Sequence, residues 1–315
     1  MRPGLYPRQS CVRQHGVTLV ELMISMTIGL LVVGVATVLL VSVKSGYVVQ
    51  SDSAQILDTG RHAIDILVRT VRQASYHHWD SVEAGTLDDI DEPAVFGMDA
   101  KSLKSRSEGI TSPVARSING SDVLAVRFGG SGAGSNGDGS VLNCAGFPVG
   151  SGTPKDKGKD TRGWSVFYVA EDATGEPELY CKYPGEEGWA SQAIARGVES
   201  FQVLYGLDTD GDGLPNSLLN ASAVEAMSKN AKDGQAPWKN VVEVKVAVLV
   251  RGGNPVPLDI EGRYFDLFGE PYSLAHASRD RGVRIRVAEL PKADRNLARK
   301  VFVSSIWLRN RPWGK

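Results

Sequence analysis

The chain has 315 residues, 42% of them hydrophobic and 23% charged, and 35 basic and 36 acidic residues give a formal net charge of −1. These values indicate a globular chain with enough length for one large domain or two small ones. Because no long run of a single charge sign occurs, direct binding of nucleic acid has no electrostatic support and is not expected.

The first predicted element is an apolar helix over residues 17–43. Between Gly16 and Lys44 the only ionisable side chain is Glu21. A helix of these 27 residues covers about 40 Å, which exceeds the roughly 30 Å hydrocarbon core of a bilayer. The basic residues that precede it, without any acidic residue, are Arg2, Arg8 and Arg13. This charge bias predicts a single-pass segment with a cytoplasmic N-terminus and an extracytoplasmic remainder.

A short motif lies at the start of this segment. Residues 16–21 read GVTLVE and resemble the type IV prepilin cleavage and methylation motif, although the family usually has Phe where Val17 stands. The resemblance implies that a prepilin peptidase removes residues 1–16 as a leader by cutting after Gly16. It also implies N-methylation of the new N-terminus at Val17.

Glu21 is the strongest single candidate for a functional residue. A carboxylate in an apolar segment is tolerated mainly when a positive charge meets it. Cleavage creates an α-amine at Val17, and the resemblance implies that this amine pairs with the Glu21 carboxylate of a neighbouring subunit during filament assembly. The alternative is a plain, uncleaved signal anchor in which Glu21 lies close enough to the membrane surface to stay hydrated.

The helix is predicted to continue, as an amphipathic segment, over residues 44–78, since no proline interrupts the chain from Val17 to His78. The apolar residues and glycine that share one face at helical spacing are Ile56, Gly60, Ala63, Ile64, Leu67, Val71 and Ala74. Such a face predicts packing against a sheet.

Residues 79–315 are predicted to form a periplasmic, β-rich head. Runs typical of antiparallel strands occur at residues 122–128, 164–170, 178–183, 198–205, 241–250, 283–289 and 301–308. A short helix is predicted at residues 221–229, and the segments 129–139 and 146–163, rich in Gly, Ser, Asp and Lys, are predicted to be loops. The predicted fold class is therefore α+β, with the helix packed on an antiparallel sheet.

Two of the three cysteines are predicted to pair. Cys11 lies in the leader and leaves with it, whereas Cys144 and Cys181 remain in the head. In an oxidising periplasm these two thiols have no competitor, which favours a disulfide. The chain-entropy model gives such a bond about 3–4 kcal/mol.

An acidic loop follows the strand at 198–205. Asp208, Asp210, Asp212 and Asn216 place oxygen ligands at loop positions one, three, five and nine, with Gly211 and Gly213 between them and the Leu214 carbonyl as a further ligand. Calcium sites use this spacing. The EF-hand glutamate is absent because Leu219 occupies position twelve. We expect a calcium ion here; the alternative is a hydrated acidic turn.

Three stretches of the head resemble PilW-like minor pilins, which are related to the J-type minor pseudopilins of type II secretion. They are residues 197–213, 241–251 and 299–311. The resemblance implies a minor type IV pilin that primes or caps pilus assembly and supports pilus biogenesis, twitching motility and adhesion. Its implied location is the inner membrane and then the pilus, including its tip. Its implied partners are the major pilin, other minor pilins, the prepilin peptidase and the inner-membrane assembly platform.

Two other functions remain open on the sequence: a J-type pseudopilin of type II secretion, and a calcium-dependent adhesin held by an uncleaved anchor. An enzyme is not expected, because the chain has no nucleophile elbow, zinc-protease helix or Walker loop. Cleavage of the leader separates the adhesin from the other two functions.

Overall fold

The computed structural model describes residues 16–76, 93–134, 136–151, 162–231, 236–255 and 262–310. The chain divides into two compact units, residues 1–50 and 51–315. In the first unit, the long helix α1 (Leu19–Arg72) begins. This helix is long and apolar enough to cross a membrane.

Four hydroxyl side chains in the first half of α1 donate hydrogen bonds within the helix. Ser25 and Thr37 donate to carbonyl oxygens four residues earlier, at 2.7 and 2.8 Å. Thr27 and Ser45 donate to carbonyl oxygens three residues earlier, at 2.8 and 2.9 Å. Since a hydroxyl without a partner is costly in hydrocarbon, these bonds make the segment compatible with lipid.

The second unit contains the strands and the remaining helices. The strands are β1 (Val95–Met98), β2 (Val123–Phe128), β3 (Gly163–Glu171), β4 (Pro177–Gly185), β5 (Gly188–Arg196), β6 (Val198–Leu207), β7 (Ser217–Leu219), β8 (Val241–Pro255), β9 (Tyr264–Asp266), β10 (Arg284–Arg286) and β11 (Leu297–Trp307). The helices are α2 (Ala221–Asn230), α3 (Ala236–Lys239) and α4 (Glu270–His276). The predicted α+β class is confirmed.

The described strands form two main antiparallel sheets. The first has the order β1-β2-β3-β4-β5, and the second has the order β11-β8-β6-β7. Strands β9 and β10 form a separate pair. The chain passes from one sheet to the other at Gly197, whose φ is +70° and where a Cβ would lie 2.9 Å from the Arg251 carbonyl oxygen. Glycine is therefore required at this crossing.

The second half of α1 packs against the second sheet through the predicted face. Ile56, Ala63, Leu67 and Val71 are buried in one core cluster with the inner residues of β6 and β8. Gly60 lets the ring of Phe302 approach the helix backbone, since a Cβ at Gly60 would come 2.1 Å from Phe302 Cε2. The face predicted from the spacing is thus the one that meets the sheet.

Strand β8 is buried on both faces, which explains its uninterrupted apolar residues from Val246 to Val250. Val244, Val246 and Val248 join the core under α1, while Ala247 and Leu249 join a second cluster with Leu267, Ile285 and Leu290. Burial of alternate residues on opposite faces follows from the two-residue period of a strand.

Helix α1 ends earlier than the predicted residue 78. It stops at Arg72, and Ser75 takes a left-handed conformation with φ +58°. The Asn310 side chain donates hydrogen bonds to the carbonyl oxygens of Arg72 and Ala74, at 3.0 and 3.2 Å. These bonds satisfy carbonyl groups that the helix end leaves open. His77 and His78 lie outside the described residues.

Most predicted strands correspond to strands of the structure, with one partial error. The run at residues 283–289 contains only the short β10, because a 3₁₀ turn (Val287–Glu289) follows at once. Strands β1, β5, β7 and β9 were not predicted. The short predicted helix corresponds to α2, which Asn220 caps by accepting from the Ala223 amide at 3.0 Å.

Candidate functional site

The cleavage motif lies at the exposed start of α1. Thr18 caps the helix: its Oγ1 accepts from the Glu21 amide at 3.3 Å, and its carbonyl oxygen accepts from the Leu22 amide at 3.1 Å. A Cβ added at Gly16 would meet no heavy atom within 4 Å, and Val17 is 69% exposed. The bond between Gly16 and Val17 is therefore accessible. The rest of the predicted leader lies outside the described residues.

Glu21 occupies the third helical position after Thr18. The pair fits the Thr-x-x-Glu capping box, in which the acidic side chain also stabilises the positive end of the helix dipole. This local role was not recognised from the sequence. Glu21 is exposed in the single chain, so its carboxylate is accessible to a charge from another chain.

The apolar side chains around Glu21 lie open on the surface of the single chain. The large hydrophobic residues between Val17 and Val43 are each between 51% and 79% exposed. A continuous apolar surface of this size is not stable in water and marks contact with lipid or with other chains. The segment therefore has the properties of an anchor and of an assembly surface.

The acidic loop brings three carboxylates together. Oxygen atoms of Asp208, Asp210 and Asp212 lie within 4.8 Å of one another, and Asp208 is buried while the other two are exposed. Asp208 accepts from the amides of Gly211 and Gly213 at 2.6 and 3.0 Å. Backbone amides thus hold this carboxylate at the centre of the loop.

The two other predicted ligands of the loop have different roles in the structure. Asn216 Oδ1 accepts from the amide and the hydroxyl of Thr209, at 2.6 and 2.9 Å, and its Nδ2 donates to Asp210 at 3.0 Å. The Leu214 amide donates to Asp212 at 2.7 Å. The donor set of three carboxylates fits a hard divalent cation, whereas Asn216 would have to turn its amide to become a ligand.

A disulfide joins Cys144 and Cys181, with the two Cα atoms 5.8 Å apart. It links the loop that follows β2 to strand β4. The Cys144 amide also donates to the Ser165 hydroxyl on β3 at 3.0 Å. The loop is therefore fixed to two neighbouring strands of the first sheet.

The sequence did not reveal the role of Asp52 on α1. Its side chain is 3% exposed, and Oδ1 accepts from the Gly253 amide at 2.8 Å and from the amide and side chain of Asn254 at 3.2 Å each. A Cβ at Gly252 would lie 1.8 Å from Oδ2. The only sequence signal was an acidic residue beside an apolar helix face, which is common on exposed helices.

Comparison with known families gives two matches. The family model for type IV pilus-assembly protein W, PilW, matches residues 166–310, and the model for the prokaryotic N-terminal methylation motif matches residues 11–37. The comparison with curated proteins found no match. Among solved structures, the type IV-like pilin TTHA1219 from Thermus thermophilus is similar, with 14% identity, 81% of this chain and 97% of that chain covered, and a TM-score of 0.39.

The match to the N-terminal methylation motif, the exposed apolar helix and the sheets of the second unit are together features of a type IV pilin-like protein. Residues 166–310 are similar to the PilW family, as the sequence predicted. Helix α1 is also long and apolar enough to serve as a membrane anchor.

Proposed function

We propose that the chain is a minor type IV pilin that primes or caps pilus assembly and so supports pilus biogenesis, twitching motility and adhesion. The observation that carries this proposal is the combination of an accessible Gly16–Val17 bond with a PilW-like head at residues 166–310. The exposed apolar segment before Lys44 supports it, because subunits that polymerise through such helices need this surface uncovered.

The proposed location follows from the same features. The chain is inserted in the inner membrane with a periplasmic head, is cleaved by a prepilin peptidase, and then joins other minor pilins, the major pilin and the assembly platform. It enters the base or tip of the pilus by way of its helix. Its work is assembly rather than catalysis.

A deletion strain tests the proposed function. Surface pili are sheared and quantified in the wild type, the deletion strain and the complemented strain, and secreted enzymes are measured in parallel. We expect few pili after deletion, recovery on complementation, and unchanged secretion. Normal piliation with lost secretion would assign the chain to type II secretion instead.

We also propose that the acidic loop binds calcium. The support is the approach of the Asp208, Asp210 and Asp212 oxygens to within 4.8 Å, since three carboxylates repel one another and a cation replaces that repulsion with coordination. A ligand that binds only the folded state at a hundredfold excess over Kd adds about 2.7 kcal/mol to the free energy of unfolding. Calcium should therefore raise the melting temperature, and magnesium should do so less.

The calcium test uses the full chain in detergent, melted in EDTA, calcium or magnesium. The variant Asp210→Asn/Asp212→Asn should lose the response to calcium. The matched control Glu186→Gln/Glu187→Gln removes an exposed acidic pair from another hairpin and should keep it. A melting temperature that is indifferent to calcium in the wild type would show that the loop is a hydrated acidic turn.

A further inference from the structure

An aromatic groove lies on the first sheet of the head, away from the acidic loop. Its volume is about 1250 Å³, and its aromatic lining consists of Phe147, Trp164, Tyr183 and Trp189. The ionisable lining residues are Arg106, Arg162, Glu186 and Glu187. Neither the cleavage motif nor the anchor helix uses this surface.

The four rings form two pairs. Trp164 on β3 and Trp189 on β5 meet edge to face, with ring centroids 5.7 Å apart and planes at 78°. Phe147 and Tyr183 lie 5.1 Å apart at 31°. Because these rings come from three neighbouring strands, β3, β4 and β5, and from a loop that the disulfide fixes, they are held in position before any ligand arrives.

A cationic side chain lies near the ring of each tryptophan. The Arg127 guanidinium lies 4.4 Å from the Trp164 ring centroid, and the Lys182 ammonium lies 5.5 Å from that of Trp189. Lys182 is fully buried and donates to the Lys104 carbonyl oxygen and the Ser107 hydroxyl, at 3.1 and 2.8 Å. These contacts restrict the rings further, while Phe147 remains 48% exposed.

The chemistry of the groove identifies a class of ligand. Its volume exceeds the range of about 300–1,000 Å³ that is typical of small-molecule sites, which favours an extended chain. Two arginines and two glutamates balance in charge, which favours a neutral ligand. Flat rings beside both donors and acceptors suit a sugar, because a sugar ring has an apolar C–H face and a rim of hydroxyls that both donate and accept.

A proline-rich peptide also docks on aromatic grooves. It fits this groove less well, since its carbonyl groups only accept hydrogen bonds. The exposed carboxylates of Glu186 and Glu187 would then accept hydrogen bonds from water but not from the peptide. We propose that the groove binds a neutral oligosaccharide, which rests on the proposed function and deepens its adhesive part by naming the chemistry of the receptor.

The test uses the full chain in phosphatidylcholine nanodiscs, because many detergents carry sugar head groups. The probes are hexasaccharides of β-1,4-glucose, β-1,4-N-acetylglucosamine, α-1,4-glucose and α-1,6-mannose, with decaproline as the peptide arm. Binding is followed by tryptophan fluorescence and calorimetry. We expect at least one hexasaccharide to bind, and we expect no binding of decaproline.

Two variants locate the binding site. Phe147→Ala and Trp189→Ala should each weaken binding about tenfold, as expected for the loss of a stacking ring. Trp307→Ala is the matched control, since Trp307 is 45% exposed on β11, in the second sheet. Phe147 is half-exposed, so its variant retains the fold even if the Trp189 variant does not.

Three results would overturn the proposal: no binding of any of the four hexasaccharides, equal binding by the wild type and both groove variants, or binding of decaproline in their place. Sugar binding is measured on the purified chain, whereas piliation is measured in cells. A failure of the sugar site is thus distinguishable from a failure of the proposed role in pilus assembly.

Discussion

At the scale of single residues, Glu21 has two separable roles. It fits the capping box that Thr18 opens, and we propose that it also pairs with the α-amine that cleavage after Gly16 would create. Glutamine serves the capping box as well as glutamate does, but it carries no charge. One substitution therefore distinguishes the local role from the proposed role between subunits.

We expect Glu21→Gln to be exported and cleaved normally but to be depleted from sheared pili. The reason is that an α-amine buried without its carboxylate partner is costly in a medium of low dielectric constant. The measurement is the ratio of the chain in the pilus fraction to the chain in the membrane fraction. Equal ratios for wild type and Glu21→Gln would leave only the capping role.

Asn310 illustrates a long-range contact that local sequence patterns do not reveal. Its side chain bonds a carbonyl oxygen at the end of α1, although it lies 238 residues along the chain from Arg72. The periodicity of the helix continues past Arg72 and so predicted a later end. The same limit applies to Asp52, whose partners at Gly253 and Asn254 are about as distant in sequence.

At the scale of elements, burial and length explain part of which strands the sequence could predict, although β11 was predicted while only Leu297 and Ile306 of that strand are buried. Strand β8 is buried on both faces and has uninterrupted apolar residues from Val246 to Val250, so it was predicted. Strand β5 is mostly exposed or half-buried, and β7 and β9 have three residues each. Such strands exist because a partner strand pairs with them, and their own residues give little signal.

The spacing of the acidic loop predicted that Asp208, Asp210 and Asp212 lie together, and the structure brings them together. It could not predict the direction of the Asn216 amide, because that depends on the competing hydrogen bond to Thr209. Local spacing places carboxylates on one side of a turn. It does not determine whether Asn216 Oδ1 accepts from Thr209 or binds a cation.

The packing of α1 on its sheet gives a prediction about stability. Gly60→Ala places a Cβ 2.1 Å from the Phe302 ring, and overpacking of this kind costs about 1–3 kcal/mol. Gly46→Ala is the matched control: it lies in the same helix, and nothing lies within 4 Å of its Cβ position. It should be neutral or gain up to about 1 kcal/mol.

The measurement is the free energy of unfolding of the full chain in detergent. Adding Phe302→Leu to Gly60→Ala should cost less than the sum of the two single changes, since a smaller side chain relieves the clash. Equal stability of Gly60→Ala and Gly46→Ala would show that the helix does not depend on this contact.

At the scale of the whole molecule, removal of the leader distinguishes a pilin-like subunit from an adhesin held by an uncleaved anchor. We expect the mature chain to begin at Val17 with one methyl group on its amine. Loss of Arg2, Arg8 and Arg13 takes the basic residues from 35 to 32 against 36 acidic ones, so the formal net charge becomes −4. Intact-mass analysis of the protein from membranes measures this directly.

The matched variants for processing are Gly16→Val and Gly29→Val. The first should retain residues 1–16, because the resemblance to the prepilin motif implies cleavage after Gly16. The second changes an exposed glycine of α1 with no neighbour within 4 Å of its Cβ position, and it should be cleaved normally. A wild-type chain that still carries its leader would support the anchored adhesin instead.

The Asp52 contact has a mechanical consequence. A subunit held by its N-terminal helix while its head is pulled receives the load through α1, and Asp52 is the first residue along the described part of that helix with a hydrogen bond to the sheets of the second unit. Its three hydrogen bonds, to Gly253 and Asn254, must break together before the helix can peel from β8. Tension on α1 therefore reaches these hydrogen bonds before it reaches the apolar core, and we expect the rate at which they break to influence the force at which the head unfolds.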